Sequence, residues 1–211
     1  MDRHFVIPLE PEFALAYERL AFARMGEAEF CQNTMKAFDL THQAVGLLEI
    51  ALAMEPSAKR YAGLSLAYTK RHLLCEGEGC GKHSLDLAIL LAEESIRLSP
   101  NDPGGYVSLG MAFLAKGEFL RRTDLIEPAI CALSKALALD PSDPMIHGLE
   151  GIALLKRCLV SDNFRGNLPS LFAAIGELEL AVGNLYSAMR SFGWFKRGLI
   201  IARSLLTREG I

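Results

Sequence analysis

The chain reads as an all-α protein built from repeated helix pairs, on three observations. Apolar residues recur at i, i+3, i+4 and i+7 over successive stretches, the stripe of a helix that buries one face. The second helix of each pair closes in a proline three times, at Pro56, Pro100 and Pro141, spaced 44 and 41 residues apart. Capping residues open the stripes: Asp102-Pro103 and Asp143-Pro144 place an N-cap before a proline at the first helical position, where its missing N–H costs nothing.

In chain order, 13–24 is helical by pattern and Gly26 is expected to end it, with Tyr17, Leu20 and Ala21 on its stripe. Ala44, Leu48, Ala51, Leu52 and Met54 form the next stripe. Ser57 caps a helix carrying Tyr61, Leu64, Ser65 and Tyr68, and Ala88, Ala92, Ser95, Ile96 and Leu98 answer it. Tyr106, Leu109, Gly110 and Phe113 then take the places of Tyr61, Leu64, Ser65 and Tyr68, with Gly117 expected to stop the helix. Ala129, Leu133, Ala136 and Leu137 form its partner. Helix 145–158 has two registers, Ile146/Leu149/Ala153 and His147/Gly151/Leu154, which fit equally. A polar loop is predicted over 161–168 and a helix over 170–182, with Ala174, Leu178 and Ala181 on one face. Gly183, Tyr186 and Ala202 give a fainter fifth echo.

The order Tyr-x-x-Leu-Gly-x-x-Phe-x-x-x-Gly over 106–117, then Ala-x-x-x-Leu-x-x-Ala-Leu-x-Leu-x-Pro over 129–141, resembles the tetratricopeptide repeat, TPR. The resemblance covers about residues 40–160, with 161–211 a degenerate C-terminal repeat or cap. It implies a right-handed α-solenoid of antiparallel helix pairs, about 9–11 helices in one domain over 1–211, whose usual work is protein binding without catalysis. The periods exceed the ~34-residue TPR unit by roughly ten and seven residues. The extra residues fall between paired helices, around 71–82 and 119–126.

Composition narrows the function. The chain is 51% hydrophobic with a mean hydropathy of +0.22, so it is not disordered and must bury that surface in a core, a groove or an oligomer interface. No leader is visible, and no apolar run reaches the length of a membrane span. Five scattered cysteines suit a reducing cytoplasm. Residues 1–56 carry nine acids and four bases, whereas 151–211 carry four acids and eight bases. No catalytic motif is present. Gly79-Cys80-Gly81-Lys82 only imitates a P-loop, since Glu76 stands at its first glycine and His83 at its Ser/Thr.

In TPR arrays the first helix of each pair lines a concave groove. The resemblance assigns to that groove Ala62, Leu66 and Thr69, then Val107, Met111 and Leu114, then Gly148, Ile152 and Leu155. These places lack the Lys, Arg and Asn with which TPR domains grip an acidic C-terminal peptide. An apolar groove suits the apolar face of an amphipathic helix, and Met111 is an adaptable contact. Three occupants stand: a partner protein's helix, this chain itself (through its tail or a homo-oligomer), or a small apolar ligand. The tail segment is 194–206, with Phe195, Leu199, Ile200 and Leu205 on its apolar side.

His72, Cys75, Cys80 and His83 sit inside the first insertion as His-x-x-Cys, four residues, Cys-x-x-His. Two imidazoles and two thiols are the ligand set of a structural zinc site. The same residues also fit a solvated turn, or a Cys75–Cys80 disulfide in an oxidising compartment; otherwise no cofactor is expected. The basic tail, with Arg190, Lys196, Arg197, Arg203 and Arg208 among Phe192, Trp194 and Phe195, fits a capping helix, an anionic membrane surface or an acidic partner, including the acidic end of a second copy. Nucleic acid is not expected, because the chain as a whole is acidic.

Overall fold

A computed structural model describes residues 11–75, 82–160, 165–185 and 190–208. Among the described residues there are nine α-helices and no strand: α1 Pro11–Phe30, α2 Thr34–Met54, α3 Ala58–Leu74, α4 Lys82–Leu98, α5 Pro103–Leu120, α6 Ile126–Leu139, α7 Pro144–Val160, α8 Leu168–Asn184 and α9 Arg190–Arg208. Consecutive helices pack as four pairs, each pair against the next. The last helix, α9, lies on α7 and α8 and also reaches back to α1. This is an all-α helical-repeat solenoid.

Local chemistry sets most helix starts. The Asn33 side chain accepts from the Lys36 N–H at 2.9 Å, Asp102 from Gly104 N–H at 2.9 Å and Asp143 from Met145 N–H at 2.7 Å. Each satisfies one of the orphan donors of a first turn. Two expected helix ends are corrected. α1 runs through Gly26 to Phe30, because Ala14, Ala21, Met25 and Ala28 form one continuous buried stripe. Burial of that stripe outweighs the ~1 kcal/mol that a mid-helix glycine costs. α5 runs through Gly117 to Leu120, and Arg121 ends it in the left-handed region at φ 52. Gly117 is still needed at the stop. Its carbonyl accepts the Arg122 N–H at 2.8 Å, and a Cβ there would lie 3.0 Å from the Arg122 carbonyl oxygen.

Small residues on the stripes let helix axes approach. A Cβ on Gly110 would sit 2.6 Å from Leu133 Cγ, so α5 and α6 touch through glycine and a fully buried leucine. Between α3 and α4 the contact is polar: Ser65 Oγ donates to the Ala88 carbonyl at 2.7 Å and Ser95 Oγ to the Ala58 carbonyl at 2.8 Å. The Tyr68 hydroxyl donates to Glu49 of α2, and burial followed by that bond pushes the phenol up to about 12.

The two candidate registers of α7 are both buried apart from His147, which is partly exposed. Ile146, Leu149, Gly151, Ala153 and Leu154 are all inside, because α7 is covered by α6 and α8 and, on a further side, by α9. One helix enclosed in this way loses the one-sided pattern that register assignment depends on.

Candidate protein-binding groove

The groove is built from the first helices of the pairs. Leu66, Lys70, Leu73 and Leu74 of α3 face Val107, Met111 and Glu118 of α5, and Met145 and Leu149 of α7 extend the wall. Met25, Ala28 and Glu29 of α1 close one side, and Ser191, Trp194 and Phe195 of α9 close the other. The space between them is about 650 Å³. That volume lies in the ordinary range of ligand-sized sites, and the lining is mostly apolar with a few convergent polar groups.

Of the residues assigned to the groove from sequence, Leu66, Val107 and Met111 line this cavity together. Ala62, Thr69, Leu114, Ile152 and Leu155 are buried within helix packing. Thr69 Oγ1 donates to the Ser65 carbonyl of its own helix at 3.0 Å, Leu114 lies in the main core cluster, and Ile152 meets Gly198 of α9. Gly148 is filled over by Phe195: a Cβ on it would lie 2.3 Å from the ring. The wall on α7 is therefore Met145 and Leu149, three residues away from the sequence assignment.

α9 lies across the open side. Phe195 and Ala202 are fully buried and Leu199 nearly so, while Leu205 is partly buried. Ile200 is corrected: it is 59% exposed, turned away from the core. Trp194 stacks on Phe195 with ring centroids 5.5 Å apart. The first turn of α9 is held from α1, where Glu29 Oε1 accepts the Ser191 N–H at 2.7 Å and also the Ser191 hydroxyl. Glu29 Oε2 takes Lys70 of α3 at 3.1 Å. Lys196, Arg197 and Arg203 are exposed, Arg197 also lining the cavity and Arg203 pairing with Glu179 at 2.5 Å. Glu29, Lys70 and Ser191 were not found from sequence. A contact between residues 162 apart leaves no local pattern.

The Cys/His insertion is described only in part, since Cys80 lies outside the described residues. His72 sets its ring edge-on to Phe119 at 4.9 Å. Cys75 caps α3, its N–H reaching the His72 carbonyl at 3.2 Å, and is disulfide-bonded. His83 is exposed in the first turn of α4. A disulfide sulfur is not a thiolate donor for zinc. Cys131 and Cys158 are free thiols.

Behind the α7 wall lies a titratable cluster. His147 Nδ1 meets Glu177 Oε2 of α8 at 2.5 Å and Nε2 meets the Pro141 carbonyl at 3.0 Å. Only an imidazolium donates at both nitrogens. Burial opposes that charge, but the Glu177 and Pro141 hydrogen bonds and the nearby carboxylates carry the pKa above its ordinary 6.5. Glu150, which accepts from Ser134, is pushed above 4.5 by burial, against that bond. Both groups hold their protons more tightly folded than unfolded. Glu150's contribution is full below 4.5 and lost as pH rises through its raised pKa; His147's is full below 6.5 and lost as pH rises through its own. Melting by circular dichroism should show a higher midpoint at about pH 6 than at about pH 8.5, and His147→Gln should flatten the difference.

Four stacked helix pairs with a concave inner wall define the class: this is a TPR-type helical-repeat fold. The chain is similar to a thermophilic TPR protein from Thermus thermophilus, known from its crystal structure, with a TM-score of 0.52 at 17% identity. The match covers 89% of this chain and 99% of that one. No family model matches the chain, and no curated protein does. No helix among the described residues is long and apolar enough to cross a membrane.

Proposed function

We propose that the chain is a non-enzymatic interaction scaffold whose concave groove receives the apolar face of a helix from a partner protein. The observation that carries this reading is the seat of α9. An amphipathic helix with an aromatic pair already lies across the open side of the groove, and about 650 Å³ remains beside Trp194 between Leu66, Val107, Met111 and Met145. Such a lining matches helix-in-groove recognition, where a few apolar anchors on one helical face supply the affinity. The TPR-type fold agrees with this, because stacked repeats create the extended concave surface that binding uses.

The test is affinity purification at native expression level, comparing wild type with Leu66→Arg and Met111→Arg. A guanidinium placed among apolar side chains without a partner is strongly unfavourable. Each variant should lose the stoichiometric partner while keeping its helical circular dichroism. Retained capture in both folded variants would mean that binding lies elsewhere on the chain.

A further inference from the structure

The seat of α9 has two unequal halves. The half from Phe195 onward belongs to the last repeat: Phe195 covers Gly148, Gly198 meets Ile152 and Leu178, and Ala202 is fully buried. Among its described side chains the first turn has a shallower footing: Trp194 packs on the edge of the core cluster and stays only partly buried. The turn is held at its start by Glu29, a side chain from the opposite end of the array that is shared with Lys70. A carboxylate there satisfies an orphan N–H and sits at the positive end of the helix dipole. Trp194, in that turn, is only half-buried and forms one wall of the cavity.

We propose that the first turn of α9, with Trp194, is a built-in occupant of the groove that a partner helix bearing an aromatic anchor displaces, with Glu29 as the latch and Phe195 as the fixed point. The inference rests on the groove reading above and adds both a partner chemistry and a control. The groove is reached by an amphipathic helix that presents an aromatic ring to Leu66, Val107 and Met145, and its availability depends on a contact made by α1. Fraying one turn costs far less than lifting Phe195 out of the core, so displacement stops there.

Trp194 is the one tryptophan of the chain, which makes its fluorescence a direct reporter of that turn. Full-length wild type is compared with Glu29→Ala by tryptophan emission, by hydrogen exchange over 191–194, and by anisotropy of a labelled peptide with the sequence of residues 192–208, which lacks the Ser191 contact to Glu29. The variant should emit at longer wavelength, exchange faster at that turn, and bind the peptide about five- to tenfold tighter, the ratio that one lost helix cap corresponds to. Unchanged emission and exchange in a variant of native helix content would overturn the latch, whatever the peptide does. A loosened first turn with the peptide bound by neither protein would overturn the groove reading, and with it the competition. Should Glu29→Ala lose helix content, Ser191→Ala removes the hydroxyl contact from the other side and is judged by the same outcomes.

Discussion

Arg60→Ala should destabilise the first two repeats by about 3 kcal/mol, the lower part of the range for breaking a buried ion pair from one side. Arg60 and Glu18 are each only about 5% exposed at the side chain, and Arg60 Nε donates to Glu18 Oε2 at 2.9 Å. The same guanidinium reaches the end of α2, donating through Nη1 to the Glu55 carbonyl at 2.5 Å and to its carboxylate at 2.8 Å. One side chain at the start of α3 therefore ties α1, α2 and α3 together. Removing it strands the Glu18 carboxylate in the packing. Lys59, 2.7 Å from Glu18 but 66% exposed, compensates part of that charge, which is why the loss stays near ~3 rather than ~5 kcal/mol. The Glu55 carboxylate is 52% exposed and rehydrates, so it adds little. Urea unfolding followed by circular dichroism measures the difference. Glu18→Leu with Arg60→Met should recover most of it, because replacing both partners leaves no unpaired charge. A single-variant loss below about 1 kcal/mol would show that the pair is worth no more than a surface bridge.

That pair marks where sequence reasoning stops. The repeated helix pairs were legible because their signal is local: Tyr61, Leu64, Ser65 and Tyr68 stand at the spacing of one helical face, and Tyr106, Leu109, Gly110 and Phe113 repeat it. The TPR resemblance, aligned on the same registers, assigned Leu66, Val107 and Met111 to the groove, and they meet around one cavity. Helix ends were less legible. Gly26 and Gly117 look like stops, yet tertiary packing carries both helices past them. On α7 the assignment slipped to Gly148, Ile152 and Leu155, because a helix enclosed by its neighbours shows no single apolar face. The contacts that bring distant parts together were not legible. Arg60 to Glu18 spans 42 residues and Ser191 to Glu29 spans 162, and nothing in a charged residue's immediate neighbours says which distant acid it will meet.

Phe195→Ala is the second large effect, and its character matters as much as its size. Phe195 is the largest fully buried side chain among the described residues, so the substitution leaves a void in the main core cluster and should cost about 3–5 kcal/mol. In a repeat array each unit leans mainly on its neighbours, so the loss need not spread through the chain. Among the described residues α9 packs mainly on α7 and α8, with a smaller contact to α1. If the cost exceeds what holds α9 in place, the helix detaches before the array unfolds, and the apparent loss of global stability is capped at the energy of that local opening. Two signatures follow. Hydrogen-exchange protection should fall throughout 195–206 while α2 and α3 keep theirs, and Trp194 emission should move to longer wavelength without a matching loss of helix in the rest of the array. Glu29→Ala, by contrast, should loosen only the first turn. A Phe195→Ala protein that keeps α9 protected, or that loses protection evenly from α1 to α9, would show that α9 is not the separable end of this solenoid. In that case the first turn could not act as an exchangeable occupant of the groove.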